Sequence, residues 1–412
     1  MIDLDSRFRD ADRIQVFDRW REIIEREPKP PYREPEPGRR FLITTFALAL
    51  AVAGVAFGIN ALRPDGRTSL TTSSPTEEPS PFPALTGEPR ITAEIPIPGG
   101  EIGGVGAVGA GSAWAGMSPL NGEGSGHVMR IDLETNEVIA DIPVRSLPGP
   151  MAATDDAIWI GSRGAVERID PSTNTVVATL EIPDRSVSAI AADTDAVWAI
   201  TIPDAPGDGA TEGVLVRIDS ATNAIVAEIP LGEEVNGYAD EVQIGAGSVW
   251  ALGVRWFEKE DAEYGSDLVR VDPATNTIAA RIPVGGFQMV MSTTDVWVRF
   301  PADGVFDAVY AGERGELWLW TRVNIETNEA SEPFKFVDSG LQLVTPQALW
   351  SVGYAEYDEQ ENVRVTRFDS ETLEIAARSE PIAPIFTGAV IDPASGTVWV
   401  SALESIVRLD IT

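Results

Sequence analysis

The chain contains no cysteine and one histidine, His127, and it carries 3 lysines against 28 arginines. Without cysteine there is no disulfide, no thiol nucleophile and no thiolate metal site. A single histidine rules out the familiar zinc centres, which gather several His or Cys ligands. No Asn-x-Ser/Thr acceptor occurs, and together with the preference for Arg over Lys this reads as a bacterial chain. Positive charge is scarce as well. The formal net charge is −33, and residues 91–412 hold fifty acidic against eighteen basic side chains. Such a balance disfavours nucleic acid and anionic headgroups as partners of this region and favours cations or basic partners.

Soluble helical periodicity is confined to residues 3–26, where Leu4, Phe8, Ala11, Ile14, Phe17, Trp20 and Ile24 recur at spacings of three and four. Asp10, Arg13, Asp18 and Arg21 cover the opposite face. The segment reads as a short amphipathic helix that docks onto a cytosolic partner, with a membrane-surface or self-associating helix as the open alternative.

What the chain has in abundance is repetition. Trp114, Trp159, Trp198, Trp250, Trp297, Trp350 and Trp399 each stand in a short apolar run. Each is followed by an Arg-hydrophobic-Asp/Asn step: Arg130 to Asp132, Arg168 to Asp170, Arg217 to Asp219, Arg270 to Asp272, Arg322 to Asn324, Arg367 to Asp369 and Arg408 to Asp410. Most units add a turn such as Asp170-Pro-Ser-Thr-Asn174, in which Pro presets φ and Asn tolerates the left-handed region, and then another apolar strand. Four strand signals per unit, at a period of roughly 40–50 residues, predict an all-β, seven-bladed β-propeller. The last unit stops after its third strand. Ile91-Thr-Ala-Glu-Ile-Pro-Ile-Pro98 carries the pattern of the missing fourth, so the ring is expected to close by pairing this N-terminal strand with the last blade. The fifth unit is the least regular, with Glu329-Ala-Ser-Glu-Pro-Phe as a weak fourth strand.

The Val-Trp-Val runs, the Arg-Ile-Asp-Pro-x-Thr-Asn segments and the strands ending in Ile-Pro resemble the YVTN and virginiamycin B lyase-like propeller repeats over residues 91–412. That resemblance implies the propeller fold. It also implies a lyase that uses histidine, glutamate and a divalent metal, but the central histidine this requires in a later blade has no counterpart here.

Ahead of the repeats, Phe41 to Leu62 runs without a charge, and as a helix it would be about 33 Å long, enough to span a bilayer. Lys29, Arg33, Arg39 and Arg40 precede it while Arg63 and Arg67 follow, so the basic bias puts the N-terminus inside. The expected layout is a cytoplasmic segment 1–40, a transmembrane signal anchor 41–62, a Ser/Thr/Pro-rich stalk 63–90 and a propeller 91–412 outside the cell membrane. A cleaved signal peptide is the rival reading.

The second-to-third-strand connections vary in length from unit to unit, which marks one face as decorated. Two of them combine aromatics with carboxylates: Trp256, Glu258, Asp261 and Tyr264, then Tyr354, Glu356, Tyr357 and Asp358. With Glu101 and Glu234 beside the fourth-to-first-strand links on the same face, they form the candidate ligand-binding set, suited to sugars, peptides or cationic groups. Ordinary solvated loops are the bland alternative. Asp204, Asp208 and Glu212 have a spacing that would suit a calcium loop but lack the EF-hand pattern. No cofactor or structural metal is expected. The function expected is noncatalytic binding, scaffolding or sensing of an envelope ligand or protein, with a lyase or hydrolase of a glycan or cyclic peptide at the central channel as the alternative.

Overall fold

The computed structural model describes residues 87–411 except 98–100, 119–124, 205–212, 233–240, 255–265, 287, 293, 302–317, 336–340, 346–347, 355–362, 370–371, 383–385, 393 and 403–404. Every described element is a β-strand. The described residues open with β1 (Arg90–Pro96), and the first unit is β2 (Glu101–Gly109), β3 (Ser112–Ser118), β4 (His127–Asp132) and β5 (Val138–Pro143). There follow β6 (Met151–Ala153), β7 (Ile158–Asp170), β8 (Thr175–Ala192), β9 (Ala196–Pro203), β10 (Gly213–Asp219) and β11 (Ala224–Gly232). The fourth unit is β12 (Glu241–Gly245), β13 (Ser248–Val254), β14 (Ser266–Asp272) and β15 (Thr277–Pro283). The fifth is β16 (Gln288–Met291), β17 (Asp295–Pro301), β18 (Trp318–Asn324) and β19 (Phe334–Lys335). The sixth is β20 (Leu341–Thr345), β21 (Ala348–Tyr354), β22 (Val363–Asp369) and β23 (Ile375–Arg378), and the last is β24 (Phe386–Asp392), β25 (Thr397–Ala402) and β26 (Ser405–Asp410).

Hydrogen bonding groups these strands into six sheets, which corrects the expectation of seven blades. The cause is β8, which is 18 residues long. Its first half pairs with β7 up to Ser186, and its second half pairs with β9 from Arg185 onward. One continuous strand therefore serves as the outer strand of the second sequence unit and the inner strand of the third, and their strands merge into a single six-stranded sheet. The chain turns within it at Asp184, which adopts φ 60. Likewise β7 runs through both the second and third strand positions of its unit, turning at Gly164 with φ 78, a backbone that favours glycine.

The inner strands follow one another around the centre in the cycle β2, β6, β8, β12, β16, β20, β24 and back to β2. The first strand completes the last sheet: β1 pairs antiparallel with β26, Ile91 opposite Leu409 and Ile95 opposite Ile406. Apolar side chains fill the wedges between neighbouring units. Trp159 and Val166 pack with Val197 and Val216, for example, and Trp399 and Ile406 pack with Ala113 and Ile131 across the closure. Trp114, Trp159, Trp198, Trp250, Trp350 and Trp399 are buried to 1% exposure or less, and truncating any one to Ala costs about 3–5 kcal/mol.

The outer strands share a defect of register. Opposite the Arg-hydrophobic step of the third strand, the fourth strand carries one extra residue: Ile139, Val177, Val226, Ala279, Ala376 and, in the closing strand, Thr92. A bulge at this position twists an otherwise open sheet edge and makes it a poor template for another strand.

The helix expected over 3–26 and the span expected over 41–62 lie outside the described residues. Among the described residues, no helix is long and apolar enough to cross a membrane. The expectation of a single-pass protein with a cytoplasmic N-terminus and an external propeller is corrected accordingly, since among the described residues every element is a β-strand.

Candidate functional site

The two faces of the propeller are built on different principles. On one face, the turn between the third and fourth strands repeats closely. Asn136, Asn174, Asn223, Asn276, Asn328 and Leu373 all take φ between 54 and 59, and each donates its backbone N–H at 2.9 Å to the carbonyl four residues back. The residue that opens the turn caps it with its side chain: Asp219 Oδ1 accepts from the N–H and the hydroxyl of Thr222 at 2.8 and 2.7 Å. Such hydrogen bonds hold the carboxyls of Asp132, Asp170, Asp219 and Asp272 below their ordinary range, chiefly through Thr135, Ser172, Thr222 and Ala274 respectively.

The same turns bind their neighbours. Arg130, Arg168, Arg217, Arg270 and Arg408 each stack on the tryptophan of their own unit, as Arg168 does on Trp159 with 5.2 Å to the ring centroid, and extend into the turn of the next unit. Arg168 Nη1 donates to Ser220 O at 2.8 Å and to Asn223 Oδ1 at 3.0 Å. Arg130 reaches Pro171 O and Asn174, Arg217 reaches Pro273 O and Asn276, Arg270 reaches Ile325 O and Asn328, and Arg408 reaches Leu133 O and Asn136. At the fifth-to-sixth junction the asparagine is replaced by Leu373. Leu373 packs against the cluster of Trp297, Trp320 and Phe368, and Arg322 lies over both Trp297 and Phe334, at 4.7 and 5.5 Å. This face is thus committed to joining units.

The opposite face, where inner strands begin and second strands end, carries less uniform chemistry. In the fused sheet, Asp204 accepts from the Ser186 hydroxyl at 2.5 Å and from Arg163 Nε at 3.0 Å, and these bonds, that of Ser186 foremost, lower its pKa. Arg185 Nε donates to Thr201 Oγ1 at 2.9 Å beside them. Further round, Glu241 and Gln243 on β12 hold both backbone groups of Met289 on the inner edge of β16. The Met289 N–H donates to Glu241 Oε2 at 2.5 Å, and Gln243 Nε2 donates to Met289 O at 3.1 Å. Arg299, 5% exposed, donates to Gln288 Oε1 at 3.2 Å next to this clasp. Glu241 is only half-buried as a residue, yet enclosure of its carboxyl, partly offset by the Met289 N–H, pushes its pKa up to about 8. Near neutrality it is therefore mostly a neutral acid at the mouth of the ring.

Of the expected ligand-binding residues, Trp256, Glu258, Asp261, Tyr264, Glu234, Glu356, Tyr357 and Asp358 lie outside the described residues. Glu101 opens β2 opposite Ser118, and Tyr354 closes β21 opposite Val363, so their backbones sit on this same face. Asp208 and Glu212 are also outside the described residues, whereas Asp204 is engaged by Ser186 and Arg163. His127 Nδ1 lies 2.7 Å from Asp141 Oδ1 on the exposed flank of the first unit. Among the described residues, no group of three or more His, Asp or Glu is arranged to hold a metal ion.

Sequence reasoning missed Glu241 and Gln243. Glu241 occupies the start of an inner strand as Glu101 does, and the spacing of two that puts both side chains on one side of β12 was the available signal.

No family model and no curated protein matches the chain. Solved structures do. Kuenenia stuttgartiensis hydrazine synthase is similar at TM-score 0.53 and 14% identity, over 76% of this chain and 95% of the other. The Pan2 WD40 domain of Neurospora crassa is similar at TM-score 0.55 and 9% identity, over 79% of this chain and 96% of the other. At these identities the likeness concerns fold alone, and the finer resemblance to YVTN and virginiamycin B lyase-like repeats gains no support from it. What is established is the β-propeller fold.

Proposed function

We propose that this chain is a noncatalytic binding or scaffolding propeller that takes a protein or small ligand on the face where inner strands begin. One observation carries the reading. The turns of the opposite face are occupied by the arginines of neighbouring units, while the connections on this face differ from one unit to the next, from the tight turn at Gly164 to the segment between Pro301 and Trp318. Trp256, Glu258, Asp261 and Tyr264 supply one aromatic and acidic set for the ligand, and Tyr354, Glu356, Tyr357 and Asp358 supply the other, with Glu101 and Glu234 added from the sequence beside the fourth-to-first-strand links. Ring faces beside carboxylates suit peptides or cationic groups.

The test compares the full chain with two variants as bait in extracts of its own organism. In one, residues 255–265 and 355–362 are replaced by Gly-Ser segments of equal length; in the other, Thr173→Ala alters only the turn face. The expected result is a partner retained by the turn variant and lost by the loop variant. Equal recovery by both, or turnover of a glycan or cyclic peptide by the unmodified chain with no partner recovered, would overturn the reading.

A further inference from the structure

The outer bulges differ among units in a way the fold does not require. In the first three units the bulged residue is Ile139, Val177 or Val226, exposed by 46, 52 and 52%. In the fourth and sixth units it is Ala279 or Ala376, and in the closing strand Thr92, so a small or polar side chain serves the bulge equally well. Charge divides the full units in the same way, although Thr92 of the closing strand is also followed by an exposed acid, Glu94. Two or four residues beyond the exposed apolar side chain stands an exposed acid, Asp141, Glu181 or Glu228, whereas the alanines of the fourth and sixth units are followed by Arg281 and Arg378. Leu147, 47% exposed, lies two residues beyond Arg145, which joins the first unit to Glu181 of the second.

We propose that the outer rim of the first three units is a docking surface for a basic amphipathic segment of another protein, distinct from the ligand face above. Its apolar side chains would cover Ile139, Val177 and Val226, and its Lys or Arg side chains would meet Asp141, Glu181 and Glu228. Strand addition is disfavoured because the bulge breaks the edge ladder at this very position. A second copy would bring acid against acid on a chain of net charge −33, and an anionic lipid surface would be repelled for the same reason.

The experiment uses the full chain, a Val177→Ser/Val226→Ser variant and fluorescence anisotropy with three labelled synthetic peptides. The peptides carry Leu and Lys at helical spacing, Leu and Glu at the same positions, and Ser and Lys. Both substituted side chains are exposed, so the variant is expected to melt with the parent. The Leu/Lys peptide should bind the parent and lose at least about tenfold in affinity to the variant, by analogy with truncation of interface anchors; the other two peptides should bind neither. Equal affinity of parent and variant, or equal binding of the Ser/Lys peptide, would reduce the effect to bulk charge and overturn the proposal. So would self-association of the parent in sedimentation, or binding to phosphatidylserine vesicles, if either were abolished in the variant. Ligand binding at the loop face should be the same in both proteins, which separates this test from that of the preceding section.

Discussion

Arg408 Nη1 donates to the side-chain oxygen of Asn136 at 3.0 Å, so the final unit is latched onto the first by the same pair that joins the first five units in series. The latch combines a stacked guanidinium, a turn carbonyl and an amide oxygen held by a left-handed backbone. Asparagine satisfies two demands at once, tolerating positive φ and presenting an acceptor. Asn223→Gly keeps the backbone and deletes the acceptor, and a hydrogen bond to a charged donor contributes about 1.5–3 kcal/mol. Asn223→Ala loses the same bond and adds left-handed strain of about 1–2 kcal/mol. Urea unfolding should therefore rank parent, Gly variant and Ala variant in falling midpoint. A Gly variant as stable as the parent would show that the latch contributes nothing.

Repetition made most of this architecture readable. The Trp runs, the Arg-hydrophobic-Asp steps and the Thr-Asn turns each mark a strand or its end, because a strand covered on both faces must be apolar throughout and a tight turn needs its own residues. Unit count was not readable to the same degree. An Ile-Pro pair is expected to end a fourth strand, yet the backbone of β8 runs on through Ile182, Pro183 and Asp184 without leaving the sheet. The role of asparagine was half visible: its turn preference is local, whereas its acceptor role depends on an arginine from the preceding unit, as Asn276 depends on Arg217. Glu241 was legible only as a polar residue at the start of an inner strand, since its environment is made by Met289 of the adjacent unit.

Latch quality varies between units, and Ala157 is one cause. In the first and fourth units a serine hydroxyl accepts from the latch arginine, Ser112 from Arg130 Nε at 2.8 Å and Ser248 from Arg270 Nε at 2.9 Å. The second unit has Ala157 at that position, and Arg168 Nε is buried without a hydrogen-bond partner. Ala157→Ser supplies the acceptor and should raise stability by about 0.5–1.5 kcal/mol, read as a shift in urea midpoint with unchanged slope. A loss of stability would mean that the buried site has no room for the hydroxyl.

Glu241 should make the protein less stable as pH rises. Unfolded, its carboxyl titrates near 4.5; folded, it titrates at about 8. Between those values the folded state holds a proton that the unfolded state has released, so stability declines with a slope of up to about 1.4 kcal/mol per pH unit. Glu241→Gln keeps an acceptor for the Met289 N–H and removes the proton. The variant should gain on the parent steadily from pH 5 to pH 8, and parallel profiles would refute the assignment. Glu167, 3% exposed and bonded to the Arg145 N–H at 3.1 Å, is raised by burial in the same sense and should add to the decline. Asp132, Asp170, Asp219 and Asp272 act oppositely: their lowered values stabilise the fold above the ordinary carboxylate range, and that contribution is lost as acid protonates them.

The two-residue hairpins of the inner edge offer the last test. Ala246 and Gly247, between β12 and β13, take φ of 48 and 66, and Ala110 and Gly111 between β2 and β3 take 50 and 68. Positive φ at both central residues is the pattern of a type I′ turn, for which Asn-Gly is the preferred pair. An alanine there pays the steric cost of its Cβ against the carbonyl, about 1–2 kcal/mol. Ala246 is exposed and lies outside the arginine latch, whereas the Ala110 carbonyl accepts from Arg130 at 3.2 Å. Ala246→Asn should therefore raise the unfolding midpoint by the equivalent of about 1 kcal/mol, since asparagine tolerates the left-handed region that alanine avoids. Ala246→Val should lower it, because a β-branched side chain is least compatible with that backbone. If both variants unfolded with the parent, the turn would not hold the left-handed geometry assigned to it.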